Sequence, residues 1–261
     1  MTALYWNGRP ATLQDLAVPA LRNDGHFTTF QLRERAVLGL DLHLQRLDEA
    51  SRALFGLGLD ADRVRQSLRA AVVETGTRDA TVRITVVPRV VDARVSLDLL
   101  VALSPPAEPG VASLRLRSFV FQRDTPAIKH VGTFAQFQRQ RLARETGADD
   151  ALFVDGQGRV VEGSVWNLGL WDGVAVIWPQ GDALRGTRER LLQAGLAALG
   201  VPQAVRPVML AELDAGMAAF TCNARGQQLI GDVDGRAMTV DPGLLALLDR
   251  ALGAQPRTLV A

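Results

Sequence analysis

The chain has one cysteine, Cys222, so no internal disulfide framework is available to it. Its three histidines, His26, His43 and His130, are scattered, which argues against a zinc site, and no metal is expected. No apolar run approaches the roughly 18 residues of a membrane span, and the N-terminus lacks the basic start and apolar stretch of a signal peptide. The expectation is a soluble, cytoplasmic protein. Basic and acidic residues nearly cancel, 29 against 28, without the basic footprint of a nucleic-acid or membrane-surface protein. Hydrophobic residues at 48% and charged residues at 22% are ordinary for a globular fold of one large or two modest domains in 261 residues. Lysine is the sharpest shortage. Lys129 is the only one, and every other basic position is arginine. Arginine cannot stand in where chemistry needs a deprotonatable primary amine, so this one position draws notice.

Several familiar motifs are also missing. There is no phosphate loop ending in Lys-Ser or Lys-Thr, no GxSxG elbow and no HExxH. Gly156-Gln157-Gly158 reads as a hairpin turn and does not open a helix, so it is no dinucleotide fingerprint.

What is present alternates strands and helices. Asn7-Gly8-Arg9-Pro10 reads as a turn between two short strands, the second over Ala11–Leu13. Strands are expected over 25–32, 81–87 and 95–103, and helices over 42–54 and 60–75. Ser104-Pro105-Pro106-Ala107-Glu108-Pro109-Gly110 reads as a stiff linker. The expected division is a small α+β domain over 1–104, a linker over 105–110 and a larger domain over 111–261. In that second part, strands are expected over 111–122, 151–154, 160–171 (bent or interrupted), 174–178, 218–222 and 228–233. Helices are expected over 133–145, 187–199 and 242–252.

Four segments carry chemistry. They are Lys129 with His130, the strand segment Val161-Glu162-Gly163-Ser164-Val165-Trp166-Asn167, the helix start Leu184-Arg185-Gly186-Thr187-Arg188, and Phe220-Thr221-Cys222-Asn223-Ala224-Arg225-Gly226. A Schiff base needs a lysine whose amine is made nucleophilic by its surroundings, and only Lys129 qualifies. A phosphate suits a helix N-terminus, which Gly186 and Thr187 would provide. Strand alternation would put Glu162, Ser164 and Trp166 on one face, which leaves Trp166 open either to line a pocket or to pack in the core.

In this order, together with Leu42-His43-Leu44-Gln45-Arg46-Leu47, these segments resemble the class IV aminotransferases, the fold-type IV group of pyridoxal-phosphate enzymes. That group includes branched-chain and D-amino-acid aminotransferases and 4-amino-4-deoxychorismate lyase. The resemblance runs from about Gly25 to Gly235. It implies an α+β fold with a small N-terminal α/β domain and a larger C-terminal domain of mixed sheets forming a pseudo-barrel. It also implies a homodimer, pyridoxal 5'-phosphate as cofactor, and small amino and oxo acids as partners. By the same resemblance, Lys129 is the catalytic lysine that carries the cofactor. Glu162 partners the ring nitrogen, with Gly163 leaving room for the ring. Arg46, Gly186, Thr187, Cys222 and Asn223 hold the phosphate, while Thr28, Trp166 and Arg225 are candidates for the substrate pocket.

The chain departs from the family in places. Leu184-Arg185-Gly186 stands where Pro-Gly and a β-branched residue usually precede the threonine. Phe134 stands where branched-chain members carry a tyrosine, and the single tyrosine is Tyr5. Phe30-Gln31 falls where many members have an arginine, whereas the Lys-His pair and Cys-Asn-Ala segment look more like the lyase. The expectation is an aminotransferase of unassigned substrate. The alternative is the lyase that makes 4-aminobenzoate and pyruvate. A third possibility, an unreactive binding protein of this fold, would have been favoured by loss of Lys129 or Glu162; both are present.

Overall fold

The computed structural model describes the backbone of all 261 residues and every side chain except that of Val91. Its contacts form two compact units. The first comprises Met1–Ala107, Ile128–Gly132 and Pro256–Ala261, and the second Glu108–Ala127 and Thr133–Gln255. The first division, between Ala107 and Glu108, lies in the proline-rich stretch at 104–110. The two returning segments were not expected, and the first of them carries Lys129.

The first unit starts with β1 (Ala3–Trp6), β2 (Arg9–Pro10) and α1 (Leu13–Leu21). It continues with β3 (His26–Arg33), β4 (Ala36–Leu38), α2 (Leu40–Phe55), α3 (Ala61–Thr75), β5 (Ala80–Val91) and β6 (Arg94–Ser104). The hairpin expectation holds only as far as Pro10. From Thr12 the chain turns helical because Thr12 and Asp15 form a reciprocal capping box, with Thr12 N donating to Asp15 Oδ2 at 2.8 Å. Arg9 grips the same carboxylate through two nitrogens at 2.7 and 2.9 Å. The strands form one antiparallel sheet in the order C-terminal strand Arg257–Leu259, β4, β3, β5, β6, β1, β2. Leu44 and Leu47 of α2 and Val64 and Leu68 of α3 pack in one core with Phe30, Leu32, Val82 and Ile84 from the sheet.

The second unit holds β7 (Leu114–Val120), α4 (Phe134–Glu145), β8 (Asp150–Val154), β9 (Val160–Gly163) and β10 (Asn167–Trp171). It continues with β11 (Val176–Pro179), α5 (Thr187–Ala198), β12 (Gln203–Arg206), β13 (Ala218–Cys222), β14 (Gln227–Val233), β15 (Arg236–Ala237) and α6 (Pro242–Gly253). The sheet runs β12-β11-β10-β13-β14-β7-β8-β9, with β15 on β14, and curls into a half-barrel. The β11/β12, β14/β7 and β7/β8 pairs are parallel and the remaining pairs antiparallel. This is the α+β architecture with a mixed second sheet that the sequence implied. No helix is long and apolar enough to cross a membrane, and no cluster of metal-binding side chains occurs among the described residues.

Candidate active site

In the first unit, the segment around Lys129 is bound to the start of β3. Phe27 N donates to the Lys129 carbonyl at 2.9 Å, and Val131 N donates to the Gly25 carbonyl at 3.0 Å. Backbone pairing of this kind fixes where the lysine side chain begins. Its Nζ lies 5.0 Å from the centroid of the Phe27 ring. The Arg83 guanidinium stacks on the same ring at 3.6 Å. Among the described residues no carboxylate pairs with Arg83; its Nε donates to Thr85 Oγ1 at 3.2 Å, and desolvation lowers its pKa. Arg83 escaped the sequence reading because one arginine on a strand, among so many, gives no local signal.

Thr28 is fully buried. Its hydroxyl is 2.6 Å from His43 Nδ1 and accepts a hydrogen bond from Arg46 Nη2. His43 and Arg46 are three residues apart on α2, so one helix face presents both. His26, next to this cluster, is buried against Ser51 at 2.9 Å. Burial first, and the Arg46 charge second, push its pKa down to about 4. The sequence-expected Lys129, Arg46 and Thr28 therefore all belong to this unit.

The second unit gathers the rest. Glu162 on β9 is buried, and Arg123 Nε donates to its Oε1 at 2.8 Å. Arg123 also donates to the Pro126 carbonyl. A buried carboxylate needs compensation to remain charged, and Arg123 provides it, a partner that sequence reasoning missed. The second oxygen of Glu162 accepts from Leu184 N at 3.2 Å.

The alternation expected over 162–166 breaks down. β9 ends at Gly163, β10 begins at Asn167, and Gly163 N donates to the Trp166 carbonyl at 2.9 Å across the break. Trp166 accordingly belongs to the core with Leu116, Leu152 and Leu168, and its Nε1 donates to Asp150 Oδ2 at 3.1 Å. Of the two places open to it, the face shared with Glu162 and the core, the structure shows the core. The space over Gly163 is occupied as well, since a Cβ there would overlap the Trp166 indole.

Gly186 and Thr187 open α5, as expected. Cys222 pairs with Asn167 across β13 and β10. Asn223 and Gly226 close a turn through reciprocal backbone bonds of 2.9 and 3.2 Å. Arg188 clips that turn to the start of α5, donating to the Asn223 carbonyl at 2.5 Å and to Gln227 Oε1 at 3.1 Å. Thus Glu162, Gly186, Thr187, Cys222 and Asn223, which lie within 62 residues of sequence, share one neighbourhood built from β9, β10, β13 and α5. Burial raises the Cys222 thiol pKa, so it stays protonated and acts as a small packed side chain. Arg225 is exposed in the turn, its backbone N held by Asn223 Oδ1 at 2.8 Å. Phe134, at the family's tyrosine position, is 70% exposed at the start of α4.

The donor set suits one kind of group. The first unit offers the chain's one lysine amine for a carbonyl carbon and Arg46 for an anion; the second offers a buried carboxylate for a protonated ring nitrogen and a helix N-terminus for a phosphate. A mixed α+β fold carrying that set defines a pyridoxal-phosphate protein of fold type IV. The class IV amino-transferase family model matches residues 25–227, and the chain belongs to that family, which is pyridoxal-phosphate dependent and acts on amino and oxo acids.

Solved structures agree on the fold. A branched-chain aminotransferase from Thermoproteus uzoniensis with norvaline superposes with a TM-score of 0.86 at 21% identity, covering 99% of both chains. A hypothetical aminotransferase from Mycobacterium tuberculosis, in its pyridoxal-phosphate-bound form, gives 0.80 at 21% identity, covering 97% of this chain and 99% of that one. The Escherichia coli branched-chain aminotransferase gives 0.85 at 18% identity, covering 97% and 94%. No curated protein matches the sequence.

Proposed function

We propose that this protein is an aminotransferase that moves an amino group between an amino donor and a 2-oxo acid. Bound pyridoxal phosphate supplies an aldehyde for amine exchange and a ring that draws electrons from the substrate carbon. Lys129 Nζ would anchor that aldehyde and, once displaced, would carry the proton from the substrate α-carbon to the cofactor's former aldehyde carbon. The Glu162 carboxylate accepts the ring N–H, while Arg123 keeps its charge compensated and Leu184 N fixes its angle. Gly186 and Thr187 at the start of α5, the Cys222–Asn223 turn and Arg46 bind the phosphate, which takes no part in the reaction. Arg83, stacked on Phe27 beside Lys129 and with no carboxylate partner among the described residues, binds the substrate carboxylate.

One observation carries the choice of transamination over elimination of pyruvate. Elimination needs a group free to deliver a proton to the departing fragment. Thr28, a candidate for the substrate pocket, has its hydroxyl buried and already bonded to His43 and Arg46. Transamination needs only the proton traffic of Lys129.

The test has two parts. Borohydride reduction of the loaded protein followed by peptide mapping should find the cofactor on Lys129. A panel of amino acids should then convert the bound cofactor to its pyridoxamine form, and 2-oxo acids should restore it. Formation of 4-aminobenzoate and pyruvate from aminodeoxychorismate, with no response to amino acids, would establish the lyase instead. A homodimer is the assembly we propose, and light scattering checks it.

A further inference from the structure

Asn167, the first residue of β10, is buried, and neither polar atom of its side chain serves its own strand. Its Nδ2 donates to the Leu184 carbonyl at 2.6 Å, and its Oδ1 accepts from Gly186 N at 3.1 Å. The partners fix the amide's orientation, since a carbonyl only accepts and a backbone N–H only donates. The same loop reaches the neighbouring strand: Leu184 N donates to Glu162 Oε2 at 3.2 Å. The fit at Gly186 is close enough that a Cβ there would overlap Asn167 Oδ1. Three residues, Leu184 to Gly186, therefore lie between the Glu162 carboxylate and the first residue of α5. They are tied to β9 by one bond and to β10 by two.

We infer that Asn167 is a positioning residue that holds the ring-nitrogen carboxylate and the phosphate-binding end of α5 in register, so that its loss weakens recognition of both ends of the cofactor. The inference rests on the proposed cofactor site and adds to it a residue that touches no ligand. A buried side-chain amide is costly unless satisfied, and here both of its polar groups are used on one loop. Without it, the link from Leu184–Gly186 to β10 is gone: Leu184 keeps its backbone bond to Glu162 and Arg185 its side-chain bonds to the Pro179 and Gly181 carbonyls and to Glu189, but the segment that joins the Glu162 carboxylate to the start of α5 gains freedom at both of its ends. A polar site loses function when its supports let its members drift by about 1 Å.

Pyridoxal, which lacks the phosphate, separates the two ends. Binding of pyridoxal phosphate and of pyridoxal to the apoprotein is measured by absorbance for the natural protein, Asn167→Ala and Asn167→Asp. Asn167→Ala should weaken pyridoxal phosphate binding by about tenfold or more and pyridoxal binding about threefold or more. It should also shift the pH midpoint of the bound chromophore, which a purely structural role leaves unmoved. Asn167→Asp, nearly the same shape, keeps an acceptor for Gly186 but sets an oxygen against the Leu184 carbonyl. It should reproduce the pyridoxal loss even if the alanine variant fails to fold. Unchanged pyridoxal binding and pH midpoint in both variants would overturn the coupling, whatever happens to pyridoxal phosphate. Failure of the natural protein to take up cofactor on Lys129 would instead overturn the cofactor reading itself, and it would be seen before any variant is made.

Discussion

Replacing Glu162 by glutamine separates what the Arg123–Glu162 pair does for the fold from what Glu162 does for the reaction. Both side chains are nearly inaccessible, at 4% and 8% exposure, and their 2.8 Å contact is a charge-assisted hydrogen bond. Glutamine keeps the shape but removes the negative charge, taking from the buried Arg123 cation the carboxylate it donates to. Breaking a buried pair from one side costs about 3–5 kcal/mol. An oxygen still faces Arg123, so the lower end applies, about 3 kcal/mol, a large share of a typical domain's stability. Changing both residues, Arg123→Gln with Glu162→Gln, removes the buried cation as well. It should restore stability to within about 1 kcal/mol, the shortfall being the lost bond to the Pro126 carbonyl. Function should not return with it. Turnover should fall about 10²–10³-fold in both Glu162 variants, because each lacks the carboxylate for the ring nitrogen. Urea unfolding of the four apoproteins (natural, Arg123→Gln, Glu162→Gln and the double variant) gives the coupling energy, and stopped-flow spectra with an amino donor give the rate. A coupling below about 1 kcal/mol would refute the buried ion pair. A double variant that regains turnover would refute the role of Glu162.

Arg46→Ala and Thr187→Ala should release cofactor more readily than they slow the saturated protein, because a group that does not react is held alike throughout the reaction. Dialysis against cofactor-free buffer, followed by rates at saturating pyridoxal phosphate, checks this; a rate loss without weaker retention contradicts it. His26 sets a pH dependence. Its pKa is pushed down to about 4 in the folded chain, mainly by burial, against about 6.5 unfolded. Between those values the unfolded chain binds a proton that the native one refuses. The stabilisation is therefore complete above pH 6.5 and is lost as pH falls toward 4, by about 3 kcal/mol. Urea midpoints from pH 7 to 4 should show that slope in the natural protein and a shallower one in His26→Gln. Equal slopes would remove His26 as the cause.

The sequence alone determined the elements whose signals are local. Asp60 caps α3 through Asp62 N at 2.9 Å, the apolar period of α2 ends at Gly56, and Pro242 opens α6 behind Asp241. It also singled out Lys129, because a lone amine is visible without any structure. The Thr12–Asp15 capping box was equally local but lay concealed behind a hairpin signal, so Ala11–Leu13 reads as a strand and the rest of α1 carries no expectation. Tertiary structure decided matters that depend on residues distant in the chain. Pairing with β3, about a hundred residues earlier, assigns Lys129 to the first unit. The break between β9 and β10 turns Trp166 into the core, against a two-residue alternation that the sequence continued unbroken. The partners of Glu162 come from residues 39 positions before it and 22 after it, and those of Asn167 from the loop beyond β11. Side-chain identity names the chemistry a position offers; only the packing of separate strands and loops selects the neighbours that make it act, because those distances close when the chain folds.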